Sequence, residues 1–85
     1  MGRYSLTIKP SAAKELEGLP KRTLGAMAAR IQGLADDPRP RGAEKLSREQ
    51  RYRIRQGDYR VAYSIDDKLA VVDVVKVGHR RETYR

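Results

Sequence analysis

Three arginines in one short stretch have a spacing that suggests chemistry on an anionic substrate. Arg53 and Arg55 are two residues apart, and Arg60 follows the turn-forming residues 56–58. Successive side chains of a strand point to opposite faces, so Arg53 and Arg55 share one face. Residues 59–63 place their apolar side chains on the other face, which turns Arg60 towards Arg53 and Arg55. Guanidinium groups so close together repel each other unless an anion compensates them, and a phosphodiester backbone would do so. The alternative is a solvated face that binds nothing.

Two further residues near this cluster bear on its chemistry. Arg80 follows the last predicted strand, so we expect it to join the cluster at the end of the sheet. His79 is the single histidine, and an unperturbed imidazole pKa of ~6.5 suits a general acid or base near neutral pH. The alternative for His79 is a structural residue that packs or hydrogen-bonds beside Gly78.

The segment before the arginines predicts one strand and a pair of helices. Residues 4–8 alternate as a short strand with Tyr4, Leu6 and Ile8 on one face. Ser11 is the expected N-cap of a first helix, and Gly18 with Pro20 ends it. A second apolar stripe then recurs at helical spacing until Asp36-Asp37-Pro38, and its members are Leu24, Met27, Ile31 and Leu34.

The remainder of the chain predicts a loop and three antiparallel strands. Residues 38–50 are typical of a loop, with Leu46 tucked beneath it. Period-two alternation follows over residues 51–55 and 59–65, and residues 69–77 are almost continuously apolar, as in an interior strand. The predicted fold class is α+β: one domain over residues 1–85, with an N-terminal strand and a helical hairpin packed on one face of a mostly antiparallel sheet. The other face is left for function.

The excess of basic residues indicates what kind of partner the protein binds. The 19 Lys and Arg residues exceed the 11 Asp and Glu residues, which gives a net charge of +8 on 85 residues. Such a field attracts polyanions, although a basic domain without such a partner is the alternative. Cysteines are absent, and no apolar run approaches a signal peptide or membrane span. We therefore expect a soluble cytoplasmic protein without membrane contact. The lack of Trp and Phe leaves little to stack on nucleic-acid bases.

Two segments resemble a known family. The stretch from Tyr52 to Tyr63, YRIRQGDYRVAY, resembles the central segment of the RelE/ParE toxin superfamily, and Val77 to Arg85, VGHRRETYR, resembles its C-terminal segment. Asp37-Pro38 and Lys45-Leu46 also fit, so the resemblance extends over essentially the whole chain. The fold it implies is that of RelE-like microbial ribonucleases.

The RelE branch of that superfamily implies an activity and a set of residues. The activity is ribosome-dependent endoribonuclease cleavage of messenger RNA in the A site, without metal or cofactor. The catalytic positions correspond to Arg53, Arg55, Arg60, Arg80 and Tyr84. The best-known members carry lysine at the first two positions, and arginine cannot act as a base in a protein.

The implied reaction is transesterification, in which the ribose 2′-OH attacks the adjacent phosphorus. Tyr84 is the candidate base, because neighbouring arginines favour its phenolate. Arg53, Arg55 and Arg60 would hold the phosphate, Arg80 would protonate or stabilise the leaving 5′-oxygen, and His79 is the other candidate base or acid. The RNA-binding set would be Arg51, Arg53, Arg55, Arg60, Arg80 and Arg81.

The resemblance also implies partners and leaves alternatives. The partners would be a cognate antitoxin, the ribosome and messenger RNA, with operator DNA bound only by the toxin–antitoxin complex. A ParE-like inhibitor of DNA gyrase, a non-catalytic nucleic-acid-binding module and a degenerate toxin that retains only antitoxin binding are the alternatives.

Overall fold

A computed structural model describes residues 3–46 and 50–79. Two helices and five strands follow one another in these residues. They are β1 (Ser5–Ile8), α1 (Pro10–Glu17), α2 (Lys21–Gly33), β2 (Glu44–Lys45), β3 (Arg51–Gln56), β4 (Tyr59–Asp66) and β5 (Val71–His79).

The strands form one sheet in the order β1-β5-β4-β3-β2. The pairs β2–β3, β3–β4 and β4–β5 are antiparallel, whereas β1 pairs with β5 in parallel. The prediction of an α+β fold with a mostly antiparallel sheet is therefore confirmed. The apolar segment β5 lies inside the sheet between β1 and β4, as its composition predicts.

Both helices pack on the same face of the sheet. Ala12 of α1 and Met27 and Ile31 of α2 are buried with the inward side chains of the strands. Leu34, just beyond α2, completes the predicted helical stripe on the core side. The strand side chains in this core are Ile54, Val61, Tyr63, Ile65, Val72, Val74 and Val77. They alternate along β4, whereas Val74 and Val77 of β5 are three positions apart because the β4–β5 register shifts between Ala62 and Tyr63.

The helix ends differ from the sequence prediction. Helix α1 begins at Pro10 with Lys9 as its N-cap, so Ser11 is not the cap. Proline suits the first helical position because its fixed φ is already helical. The N–H that proline lacks would have no partner within the helix at that position. Pro20 caps α2, which ends at Gly33, three residues before Asp36.

Two apolar residues also lie elsewhere than predicted. Leu46 is 37% exposed, so it is not tucked beneath the loop. Leu69 is 73% exposed in the turn before β5, because the strand begins at Val71. Ala70 has a φ of 54° in that turn, a left-handed conformation incompatible with a continuous strand.

Candidate active site

The register of the β3–β4 hairpin brings the arginines together. Arg53 pairs with Ala62, and Arg55 pairs with Arg60. Directly opposite residues of an antiparallel pair lie on the same face, so Arg53, Arg55 and Arg60 share the face turned away from the helices. Gly57 sets this register with a φ of 61° at the first turn position, as a type II′ hairpin turn requires.

Two of these three arginines are buried. Arg53 is 4% exposed and Arg60 is 9% exposed, whereas Arg55 is exposed. This finding excludes the alternative of a fully solvated arginine face. Burial of a guanidinium is costly unless charges or hydrogen bonds compensate it. The face is therefore a packed basic site at Arg53 and Arg60, and it opens to solvent at Arg55.

Glu44 is the acidic component of the site. Its Oε1 accepts hydrogen bonds from Nη2 of Arg53 at 2.6 Å, Nε of Arg53 at 3.2 Å and Nη2 of Arg55 at 3.2 Å. Hydrogen bonds from Arg53 and then Arg55 lower the pKa of the Glu44 carboxyl, so it stays ionised at lower pH than an unpaired glutamate. One carboxylate thus fixes the guanidinium groups of two neighbouring arginines.

Glu44 was not predicted from the sequence. It belongs to β2, which occupies part of the segment predicted as loop and pairs Glu44 with Arg53. A strand of two residues has too short a pattern to detect by alternation. The single acidic residue just before Lys45-Leu46 is the signal that was available.

Strand β5 lies next to β4 and contributes residues beside Arg60. Gly78 pairs with Arg60 and Lys76 pairs with Ala62, so both lie on the arginine face. Lys76 Nζ donates to Glu15 Oε2 at 2.6 Å, and Glu15 Oε1 also accepts from the Val77 N–H at 3.0 Å. Burial raises the pKa of Glu15, but these two hydrogen bonds outweigh it and the pKa is lowered.

His79 lies on the other side of the sheet from the arginines. It pairs with Tyr59, and the two rings meet edge to face with centroids 5.6 Å apart. Tyr59 packs against the core between sheet and helices, so the imidazole faces the helix side. This placement favours the packing alternative for His79 over a role beside Arg60.

Of the remaining predicted site residues, one lies at the end of β3 and the others lie after residue 79, outside the described residues. Arg51 is exposed and has the same strand parity as Arg53, at the end of β3 remote from the hairpin turn. Arg80, Arg81 and Tyr84 lie outside the described residues, so the candidate base and leaving-group residue are not placed. Within residues 3–46 and 50–79, no group of three or more His, Cys, Asp or Glu side chains could hold a metal ion.

A polar network holds the segment that carries Glu44. The Arg39 guanidinium donates to both carboxylate oxygens of Asp67, at 3.2 and 2.9 Å, and to the Tyr52 hydroxyl at 3.1 Å. Tyr4 donates to the same carboxylate at 2.8 Å. Nearby, the buried Tyr63 hydroxyl donates to the Pro38 carbonyl at 2.7 Å. These contacts tie the connection between α2 and β2 to the sheet.

Comparison with known proteins agrees with this architecture. Residues 6–84 match the family described as the ParE toxin of type II toxin–antitoxin systems. The chain belongs to the RelE/ParE superfamily of type II toxins. A toxin RelE of Mycobacterium tuberculosis is 32% identical over 84 residues, which are 96% of this chain and 87% of the relative. The predicted family is therefore confirmed.

Solved structures of RelE-type complexes have the same fold. The toxin–antitoxin complex RelBE2 of Mycobacterium tuberculosis contains a chain that matches with a TM-score of 0.78 and 33% identity, over 93% of both chains. The archaeal RelE–RelB complex from Pyrococcus horikoshii matches with a TM-score of 0.80 and 29% identity, over 93% of this chain and 97% of the other. Within residues 3–46 and 50–79 of this superfamily member, neither helix has the length and apolar character needed to cross a membrane.

Proposed function

We propose that this RelE/ParE-superfamily toxin is a ribosome-dependent endoribonuclease that cleaves messenger RNA in the A site by metal-free transesterification. The observation that carries the proposal is the direct opposition of Arg55 and Arg60, with Arg53 next to them on the same face. Like charges opposite each other destabilise a sheet. A phosphate held between these side chains would turn that repulsion into binding and catalysis.

In the proposed reaction the ribose 2′-oxygen attacks the adjacent phosphorus as the bond from phosphorus to the 5′-oxygen breaks. The products are a 2′,3′-cyclic phosphate and a free 5′-OH. Negative charge accumulates on the non-bridging oxygens in the transition state, and preorganised cationic donors stabilise it there. Arg53 and Arg60 suit this task because burial limits their motion, and Glu44 orients Arg53.

Proton transfer requires groups beyond the described arginines. Tyr84 is the proposed base for the 2′-OH, and Arg80 the proposed donor to the leaving 5′-oxygen, both from their match to the RelE pattern. The arginine face would favour the Tyr84 phenolate if the tail brings it there. General acid–base help of this kind is worth typically ~10²–10⁴-fold. Because its ring faces Tyr59, His79 is assigned a packing role.

A cognate antitoxin is the proposed regulator. The matched structures from Mycobacterium tuberculosis and Pyrococcus horikoshii are complexes of RelE-type toxins with their antitoxins. The net charge of +8 suits an acidic or amphipathic antitoxin segment. We propose that operator DNA is bound only by the resulting complex, and that the free toxin acts on ribosomes in the cytoplasm.

The experiment is a translating extract in which messenger RNA ends are mapped by primer extension. The proteins are wild type, Arg60→Ala, Tyr84→Phe and His79→Gln, with Lys68→Ala as the control for one lost positive charge far from the arginine face. We expect cuts within A-site codons for wild type, Lys68→Ala and His79→Gln, and losses of at least tenfold for Arg60→Ala and Tyr84→Phe. Cleavage that survives in Tyr84→Phe but is lost in His79→Gln would reassign the base.

Inhibition of DNA gyrase is a second candidate, favoured by the ParE name of the matched family. It requires no RNA-cleaving residues. If wild type arrests growth without cutting messenger RNA, a supercoiling assay with purified gyrase decides between the two functions. Inhibition of supercoiling by wild type and Tyr84→Phe alike would establish the gyrase alternative.

A further inference from the structure

A second basic groove adjoins the arginine face. It lies between α2, the connection after it and the end of β3, and its lining residues are Arg30, Arg41, Gly42, Ala43, Glu44 and Arg55. Arg55 and Glu44 belong to both places, so the groove continues the arginine face around the edge of the sheet. None of the six lining residues has a large apolar side chain that would anchor a peptide.

Arg30 enters the groove from α2 and is held in place by neutral groups. Its Nη1 donates to the Arg55 carbonyl at 2.9 Å and to Gln56 Oε1 at 3.4 Å. These contacts lie where β3 extends beyond its pairing with β2, which involves Tyr52 and Arg53 only. The guanidinium therefore covers an open strand edge and keeps its full positive charge, because neither acceptor is charged.

Arg41 forms the opposite wall of the groove. Its side chain is exposed and makes no hydrogen bond or ion pair with residues 3–46 or 50–79. Gly42 follows it with a φ of 92°, a left-handed conformation that favours glycine and turns the chain sharply. The network of Arg39 and Asp67 anchors this connection to the sheet. The exposed Arg41 guanidinium therefore projects into the groove from a turn that the Arg39–Asp67 contact holds against the sheet.

We propose that this groove is a phosphate subsite for the RNA strand, next to the phosphate held by Arg53, Arg55 and Arg60. The groove has a net positive charge, because three arginines and a single carboxylate, that of Glu44, line it. The Glu44 carboxylate also accepts hydrogen bonds from Arg53 and Arg55. Arginine is the best bidentate ligand for phosphate. Because Arg55 lies at the junction, a single strand on the arginine face can continue into the groove. The proposal rests on the proposed ribonuclease function, which supplies the strand.

The test separates binding from cleavage. Anisotropy titrations with a fluorescent oligonucleotide, 2′-O-methylated throughout so that it cannot be cut, would compare wild type, Arg41→Ala, Arg41→Lys and the control Lys68→Ala. We expect Arg41→Ala to raise Kd about three- to fivefold, as an exposed ion pair allows, and to lower the slope of log Kd against log salt by about 0.7. Arg41→Lys should recover most of the affinity, and Lys68→Ala should match wild type.

Failure of the proposed subsite and failure of the proposed ribonuclease function would give different results. In translating extracts Arg41→Ala should raise the ribosome–messenger concentration for half-maximal cleavage and leave the maximal rate unchanged. A ribonuclease failure would appear as no cleavage by wild type, whereas the subsite is overturned if Arg41→Ala and wild type share the same Kd and salt slope. Weakened binding of the cognate antitoxin with unchanged RNA binding would also overturn it and assign the groove to an acidic protein segment.

Discussion

Arg55 and Arg60 lie directly opposite each other across the β3–β4 hairpin, on the face that carries no helix. A cross-strand pair of like charges lowers stability by roughly 0.2–1 kcal/mol. Such a pair does not help the sheet to fold, which agrees with the proposal that these side chains bind a phosphate. Stability and function therefore make opposing demands on this pair, as is common where a binding site is preorganised.

The first prediction concerns Arg55→Thr. Threonine suits a strand and relieves the repulsion with Arg60, while the lost contact to Glu44 is an exposed ion pair of small value. We expect the free energy of unfolding to remain within about 0.5 kcal/mol of wild type, and messenger RNA cleavage to fall at least about tenfold. Urea denaturation and primer extension measure the two effects. A loss of activity accompanied by a large loss of stability would contradict this separation.

The second prediction concerns the turn that sets the arginine register. Gly57 has a φ of 61°, and no atom lies within 4 Å of a Cβ built there, so only backbone strain opposes a side chain. Gly57→Ala should cost about 1–2 kcal/mol, and Gly57→Asn less, because asparagine tolerates this conformation. Gly25→Ala is the matched control: in helix α2 the same change should stabilise by roughly 0.5–1 kcal/mol. Equal costs at both positions would refute the argument.

The third prediction concerns the buried hydroxyl of Tyr63. Tyr63→Phe leaves the Pro38 carbonyl without this donor inside the core, which should cost about 1–3 kcal/mol. Tyr59→Phe is the control, and we expect it to stay within about 0.5 kcal/mol of wild type because Tyr59 is only partly buried. Thermal or urea unfolding at neutral pH measures both variants.

Tyr63 also predicts a stability loss in alkali. Burial raises the pKa of Tyr63 to about 12, above its unfolded value of ~10. The unfolded state therefore ionises first, so this stabilisation is present below pH ~10 and is lost as pH rises towards 12. Tyr63→Phe should lose less stability over that range. Parallel curves for variant and wild type would contradict the role of burial.

The fourth prediction concerns Asp67 at low pH. Hydrogen bonds from Arg39 and then Tyr4 lower the pKa of the Asp67 carboxyl below its unfolded value. Its stabilisation is therefore present above pH ~3.9 and is lost as pH falls through the folded pKa. Asp67→Asn should have a lower Tm than wild type at pH 7, and the difference between the two Tm values should shrink as pH falls below ~3.9. Asp58→Asn, in the exposed hairpin turn, is the control. A constant difference in Tm across this range would show that charge is not responsible.

The sequence was sufficient where structure depends on neighbours along the chain. Alternation along strands β3 and β4 predicted that Arg53, Arg55 and Arg60 share a face, because the period of two is a local property of a strand. The apolar stripe through Met27, Ile31 and Leu34 likewise predicted the buried side of the second helix and the residue beyond it. Those inferences required no knowledge of distant contacts.

The sequence was insufficient where burial or charge depends on distant residues. The low exposure of Arg53 and Arg60 is a property of the assembled sheet, so alternation alone suggested a more open face. Glu44 reaches Arg53 through a strand of two residues, and Arg39 reaches Asp67 across 28 positions. Leu46 was predicted to lie beneath the loop because it is apolar, although it is exposed just after the edge strand β2.

The parallel pairing of β1 with β5 has a consequence for the order of folding. Thr7 bonds to Asp73 across 66 positions, and Ser5 to Ile8 find their partners only in residues 71–74. During synthesis the first strand must remain without its neighbour until nearly the entire described chain has emerged. Such long-range closure slows folding relative to local contacts. The arginine face would thus be completed late, since Arg60 also pairs with Gly78 of β5, near the end of the described residues.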